Sequence, residues 1–464
     1  MDMEAIAKFL DKVSGFVWGV PLLVLLVGTG IFLTFRLSFI QVRLLPYSLK
    51  QIFTRKHDKK ADGDISQFQA LMTAMAATVG VGNIVGVATA VFMGGPGAIF
   101  WMWLAGFFGM ATKYGEAILA VKYRVKDSKG KMAGGPMYYL EHGLKQKWLG
   151  VLFAVFGALA AFGIGNGTQS KAVADVMNNT FNVPHYITGI ALVVFGALVI
   201  LGGIKSIGRV TAFFVPIMAL FYFIAGAIVV IMNLNLVPEA FALIFKDAFT
   251  GQAAAGGAIG AVIRFGVARG LFSNEAGLGS APIAAAAAKT DYPGRQALIS
   301  MTQVLFDTLI ICSITGVTIV MSGKWQDKSI DAGALTAEAF GSFLGSAGPL
   351  IVAIGLIFFA TSTILGWSYY GEKCFQYLFP KHGFVLAYRI IFVAFIFVGA
   401  VASLDVVWAL ADVLNGLMAI PNLIGLLGLS GIIIMETKRF QAKVQEEKEA
   451  ERLGKQTSVD TSAK

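Results

Sequence analysis

The chain has 464 residues; 56% are hydrophobic, only 14% are charged, and the formal net charge is +10. A soluble chain of this length needs more charged surface than that. Nor is the positive charge a nucleic-acid signature, because the basic residues sit in alternate loops between apolar stretches.

Apolar stretches near 20 residues, the length that crosses a bilayer core, recur throughout. In chain order they predict eleven spans at roughly 16–35, 66–92, 96–121, 148–178, 185–203, 208–233, 256–288, 294–321, 347–379, 384–403 and 406–435. The class is an all-α polytopic membrane protein. The first span has no basic segment before it and no small-residue cleavage site after it, so it is retained rather than a signal peptide. Arg43, Lys50, Arg55, Lys56, Lys59 and Lys60 follow span 1, and a second basic run from Lys122 to Lys147 follows span 3. Lys205 and Arg209 follow span 5, Lys289 and Arg295 span 7, Lys381 span 9, and Lys438 and Arg439 open the tail. With eleven spans all these loops share one side, the cytoplasm. The N-terminus is then outside and the C-terminus inside a cell (inner or plasma) membrane.

The chain divides into 1–65 (external N-terminal segment, first span, basic loop), 66–233 (spans 2–6), 234–255 (external connector), 256–435 (spans 7–11) and 436–464. That last polar tail reads as a solvated helix or a disordered segment and receives no role. Cys312 lies within a span and Cys374 near a span end, which builds no disulfide framework. His57, His142, His185 and His382 fall in or beside loops without ligand spacing, so a haem or metal enzyme is unsupported.

Span 2 reads AMAATVGVGNIVGVATA, with Gly80, Gly82 and Gly86 around Asn83; span 7 reads IRFGVARGLFSNEAGLGSAP, with Gly266, Gly270, Gly277 and Gly279 around Ser273 and Asn274. Glycine costs about 1 kcal/mol in a helix interior, so such clusters mark either close helix packing or a break. They open corresponding runs of five spans, 2–6 and 7–11, that enter from opposite faces. Paired broken segments in two inverted halves point to a transport site near the midplane.

Unpaired backbone groups in hydrocarbon cost several kcal/mol, so a break persists only if something occupies it. Freed N–H groups at a half-helix start suit a carboxylate, and unwound carbonyls suit a small hard cation. An amino acid and a sodium ion together satisfy both. The amides around Val81, Gly82 and Asn83 are expected to receive the carboxylate, Gly80 and Gly82 let it approach, and Thr78 adds a hydroxyl. In span 9, the hydroxyls of Thr361, Ser362 or Thr363 either bond back to their own helix or complete an all-oxygen cation site with the carbonyls of Ala76 and Val79. Asn166 and Gln169 of span 4 are interhelical glue or neutral partners for a zwitterion. Phe272 and Trp367 are candidate lids. Glu116 is placed to accept amides released by the breaks. Arg264 is expected to pair with Asp175 as an outer gate, unless Asp175 pairs locally with Lys171 at i,i+4. No acidic group is expected at the pocket to select a cationic side chain, and the span 2 and span 9 clusters hold no titratable group for proton coupling.

These residues resemble a known family, the alanine or glycine:cation symporters, often called sodium:alanine symporters. The stretch from Gly94-Gly95-Pro96-Gly97 through Trp101-Met102-Trp103 to Gly109 looks like the family signature, and GNIVGVA, AGGPMYYLE at 133–141 and RGLFSNEAGLGSAP at 269–282 look typical. The resemblance covers almost the whole chain. It implies the amino acid–polyamine–cation superfamily architecture: two inverted five-helix repeats of the leucine-transporter type, one extra N-terminal helix, and discontinuous helices 2 and 7. It implies co-transported sodium, bound by Ala76 and Val79 carbonyls with Thr361 and Ser362, and alanine or glycine as substrate. Surrounding lipid is the other partner; no nucleic acid and no obligate protein partner is evident. The expected activity is alternating-access symport, not an enzyme reaction.

Overall fold

The computed structural model describes residues 3–53, 61–250, 258–402 and 405–462. Arg55, Lys56, His57, Lys59, Lys60, residues 251–255 of the expected connector and the first two residues of the seventh span lie outside the described residues.

Helices follow one another in chain order. They are α1 (Met3–Val17), α2 (Val20–Arg36), α3 (Leu45–Phe53), α4 (Gln67–Thr78), α5 (Gly82–Gly94), α6 (Ala98–Lys122), α7 (Lys147–Phe181) and α8 (His185–Ile200). Next come α9 (Ile204–Met232), α10 (Val237–Thr250), α11 (Ala258–Asn274), α12 (Pro293–Ser322), α13 (Leu335–Leu344), α14 (Ala347–Leu378), α15 (His382–Val401), α16 (Asp405–Gly428) and α17 (Ser430–Ser462). The loop after α6 carries a short antiparallel pair, β1 (Val125–Lys126) with β2 (Met132–Ala133). Among the described residues seven helices are long and apolar enough to cross a bilayer, or eight if α4 and α5 count as one bent span. The remaining three expected spans coincide with α6, which carries Lys113 and Glu116 in its middle, and with the shorter α8 and α11.

Local chemistry sets the two interruptions. Ser66 caps α4 reciprocally, its Oγ accepting from Gln69 N at 3.1 Å while Gln69 Oε1 accepts from Ser66 N at 2.9 Å. The chain then bends by 55° between α4 and α5, where Gly80 and Gly82 remove side-chain bulk. After Asn274, α11 gives way to an irregular stretch in which Glu275, Gly277 and Gly279 take φ of 56°, 89° and 86°. Added Cβ atoms at Gly277 and Gly279 would stand 2.5 Å from Leu26 and 2.7 Å from Pro136, so glycine is required there twice over.

Apolar side chains such as Phe213, Leu220 and Ile231 of α9 and Ile390 and Ile391 of α15 point outward, as lipid-facing helices demand. In contrast, α6 is buried along most of its length and packs on α11, α12 and α2. The second half of α14 is buried likewise, from Phe359 to Cys374. Both breaks therefore face these two buried helices, with Val81 and Gly82 half-buried at the first.

The tail is helical, one of its two expected states, but its first turns are not solvated. Phe440 and Val444 of α17 are buried, and Phe440 packs against Gly294, where a Cβ would fall 2.6 Å from its ring. Lys122 Nζ meets Glu436 Oε1 at 2.6 Å, Arg295 Nη2 meets Glu447 Oε1 at 2.6 Å, and Tyr47 Oη donates to Glu447 Oε2 at 3.1 Å. Phe440 and Val444, one turn apart at i,i+4 among the charges of the tail, were the missed signal. Burial pushes the Tyr47 hydroxyl up to about 12. Burial also opposes the Glu447 charge, but Arg295 outweighs it and holds that carboxyl below its ordinary value. The stability this adds is thus complete above about pH 4.3 and is lost as pH falls through the lowered value. Arg295→Ala should release the tail, read as faster trypsin cleavage after Lys438 and Arg439 at neutral pH. Cleavage at the wild-type rate would mean that these contacts do not hold it.

Candidate substrate and ion site

At the bend between α4 and α5 the backbone presents donors on one side and acceptors on the other. Gly80 N donates to Asn83 Oδ1 at 2.9 Å, and Val81 N donates to Gln169 Oε1 at 3.4 Å. Two neutral amide oxygens thus stand where an anion could accept. Gly82 leaves room beside them: a Cβ there would be 3.6 Å from Ser273 Cα and 3.7 Å from Phe272 Cδ1. Phe272 lies over this point, edge-on to Trp18 at 6.2 Å between centroids.

On the other side, Ser362 Oγ lies 3.3 Å from Ala76 O and 3.4 Å from Val79 O, and Thr363 Oγ1 lies 3.4 Å from Val79 O. Both hydroxyls also bond back to Phe359 O, at 2.8 and 3.0 Å. Five oxygens therefore converge, three of them carbonyls and none a carboxylate. Thr361 makes no hydrogen bond to this group. The Phe359 carbonyl was not anticipated, since a helical carbonyl is normally consumed by its own helix.

Several residues sit elsewhere than the pocket. Thr78 Oγ1 bonds back to Ala74 O and accepts from Gln303 Nε2 at 3.0 Å, so it faces α12. Asn166 donates to Phe392 O at 2.8 Å and ties α7 to α15. Gly270 packs on Met102, 3.0 Å from a built Cβ. Trp367 is 2% exposed, crowds Gly165 and donates to Glu275 Oε1 at 2.9 Å. The Arg264–Asp175 pair does not form. Asp175 Oδ1 instead meets Lys171 Nζ at 2.7 Å and His185 Nε2 at 2.8 Å, while Arg264 Nη2 reaches Gly15 O at 3.4 Å. Local i,i+4 pairing wins because it needs no long side chain to bridge between helices.

Glu116 Oε1 accepts from Gly277 N and Gly279 N, both at 3.1 Å, and from Asn422 Nδ2 at 2.7 Å. Asn422 in turn donates to Gly277 O at 2.8 Å and accepts from Tyr139. Lys113 Nζ, buried and without a hydrogen-bond partner among the described residues, lies 4.0 Å from Glu116 Oε2.

Asp307 overturns the expectation that no acidic group stands at the site. It is fully buried on α12, its Oδ1 accepting from Asn83 Nδ2 at 2.7 Å and its Oδ2 from Ser273 Oγ at 3.0 Å, so it joins the two breaks. Asn274 lies beside it, donating to Thr308 Oγ1 at 3.0 Å. A charge in the middle of a predicted span was signal enough; the surrounding apolar run LFDTLIIC hid it.

Residues 3–453 match the Sodium:alanine symporter family. Sodium/alanine symporter AgcS of Methanococcus maripaludis is 58% identical over 440 residues, covering 93% of this chain and 97% of that protein. Amino-acid carrier protein AlsT of Bacillus subtilis is 36% identical over 431 residues, 93% of this chain and 91% of that protein. Among solved structures, MhsT in complex with L-phenylalanine aligns with a TM-score of 0.56 at 14% identity, over 81% of this chain and 98% of that one. A Na+-coupled sialic acid symporter in an outward-open state gives 0.55 at 12% identity, over 88% and 87%. At those identities the likeness concerns the fold alone, an all-α fold of the leucine-transporter type. The chain is an integral membrane transporter rather than an enzyme, and it belongs to the sodium:alanine symporter family.

Proposed function

We propose that this protein carries small neutral amino acids, alanine and glycine, into the cell together with sodium by alternating access. The carrying observation is the bend at 79–81, where the Gly80 and Val81 amides face one way and the Ala76 and Val79 carbonyls face Ser362 and Thr363. The substrate carboxylate takes the amides from Asn83 and Gln169. Gly82 admits it, and Phe272 covers it. The name of the 58% identical relative supports alanine and sodium as cargo.

Sodium fits the oxygen group by size and by hardness. A cation of sodium's radius, which is close to calcium's, holds oxygens at about 2.3–2.6 Å, so ligands at right angles stand about 3.3–3.7 Å apart. The separations of 3.3 and 3.4 Å between the two hydroxyls and the Ala76 and Val79 carbonyls are long for hydroxyl hydrogen bonds and lie in that range. With no carboxylate among them, the five oxygens suit a single charge better than a double one.

Eleven spans, arranged as two inverted five-helix repeats after one extra helix, with the N-terminus outside, complete the proposal. The repeat bundle rocks against the remaining helices around the fixed site. Because sodium orders the same bend that holds the carboxylate, each ligand raises the other's affinity. Equilibrium binding of labelled alanine to the purified protein should therefore weaken at least about tenfold when choline replaces sodium. Equal affinity in both salts would refute the coupling, and displacement by leucine as readily as by glycine would refute the small-substrate reading.

A further inference from the structure

Three buried carboxylates, Asp307, Glu275 and Glu116, surround a single buried lysine, Lys113. If all were ionised the cluster would hold an excess of two negative charges in the interior of a membrane protein, an arrangement burial strongly opposes. One oxygen of Glu116 takes three N–H donors, while the other has no hydrogen-bond partner among the described residues and lies 4.0 Å from Lys113 Nζ. Glu275 accepts from Trp367 and Ser280, distant from the bend. Asp307, by contrast, is bonded to Asn83 at the first break and to Ser273 at the second. It takes neutral donors from Asn83, Ser273 and Thr308, and among the described residues it has no ion pair. The other ionisable groups that face it are Lys113 from α6, Glu275 from the second break and Cys312 on its own helix. Cys312 Sγ lies 3.3 Å from Asn83 Nδ2 and 3.4 Å from Ser273 Oγ.

Asn83 makes Asp307 consequential. Its amide is used at both ends: Nδ2 donates to Asp307 Oδ1 at 2.7 Å while Oδ1 accepts from Gly80 N at 2.9 Å. That orientation suits an ionised Asp307 and leaves Gly80 N occupied. The geometry points to Asp307 as a proton-binding site whose proton turns the Asn83 amide over and frees the Gly80 amide for the amino acid carboxylate. A proton from water adds to the Asp307 carboxylate, and the new O–H needs an acceptor. Asn83 Oδ1 becomes that acceptor after a half-turn about its last torsion. Asn83 Nδ2 then faces Gly80 N, two donors side by side with no acceptor, which an incoming carboxylate satisfies. When the substrate leaves, the amide turns back and the proton departs. No other bond forms or breaks. The carboxylate step rests on the symport reading above; proton binding at Asp307 does not.

Three measurements on the full-length protein, in saturating sodium unless stated, test this. Between about pH 5.5 and 8.5, alanine dissociation constants should rise toward tenfold per pH unit above the Asp307 titration, and alanine addition in weak buffer should take up as much as one proton per molecule bound. Asp307→Asn should bind alanine with no pH slope and no proton uptake. Ser273→Ala, which removes one donor to the ionised form, should move the inflection to higher pH and serves if the first variant does not fold. Infrared difference spectra between the pH extremes, recorded without amino acid, should carry a protonated-carboxyl band that Asp307→Asn abolishes. A wild type without that band, or an Asp307→Asn protein that keeps the pH slope, overturns the proposal. So does a band that responds to sodium at fixed pH, which would place a metal ion at Asp307. Intact proton binding with no alanine binding at any pH sinks the symport reading and the carboxylate step, and leaves Asp307 as the proton site.

Discussion

Glu116→Ala is expected to yield little folded protein, and what is recovered should melt far below the wild type. Its Oε1 is the acceptor for Gly277 N and Gly279 N, both 3.1 Å away, and for Asn422 Nδ2. Those two amides are freed where α11 ends, in a stretch whose positive φ values prevent helical pairing. Each buried donor left unsatisfied costs about 1–3 kcal/mol, so the three together approach the whole stability of a domain, about 5–15 kcal/mol. Glu116→Gln keeps a carbonyl oxygen for the same donors and should lose far less. The comparison is made by size-exclusion recovery and thermal unfolding of the two variants in one detergent. Near-identical melting of the alanine variant and the wild type would show that other groups cap the break.

Gly80→Ala should cost at least about tenfold in sodium affinity while leaving the protein folded. A Cβ at position 80 would lie 2.5 Å from Thr363 Oγ1 and 3.3 Å from Gln169 Oε1. The hydroxyl ends a short side chain, so it can rotate away, but every rotation removes an oxygen from the group around Val79 O. Loss of one of about five ligands is worth at least 1.4 kcal/mol, the tenfold figure. Gly82→Ala is the contrast, since its Cβ would meet Ser273 at an ordinary 3.6 Å and touch no ion ligand. Sodium titrations of alanine binding separate the two. Equal sodium half-saturation in Gly80→Ala and wild type would move the ion away from Thr363.

Composition, span lengths and loop charge were enough to read an all-α membrane protein from the sequence, because crossing lipid imposes length and apolarity on each helix separately. The two breaks were legible for a similar reason: a cluster of glycines beside polar residues is a local signal. The Ser362 and Thr363 hydroxyls were legible as polar intruders in an apolar run, though which of three neighbours faces Val79 depends on helix phase. Partnership was another matter. Asp175 had Lys171, His185 and Arg264 to choose from, and the tail had either solvent or Phe440's seat on Gly294. Asp307 could be seen in the sequence, but its position between Asn83 and Ser273 could not. These outcomes depend on which residues from distant segments share a few ångströms once the helices pack. Periodicity and hydropathy act along the chain, whereas hydrogen bonding in a water-free interior selects partners across it, and only the tertiary structure contains that selection.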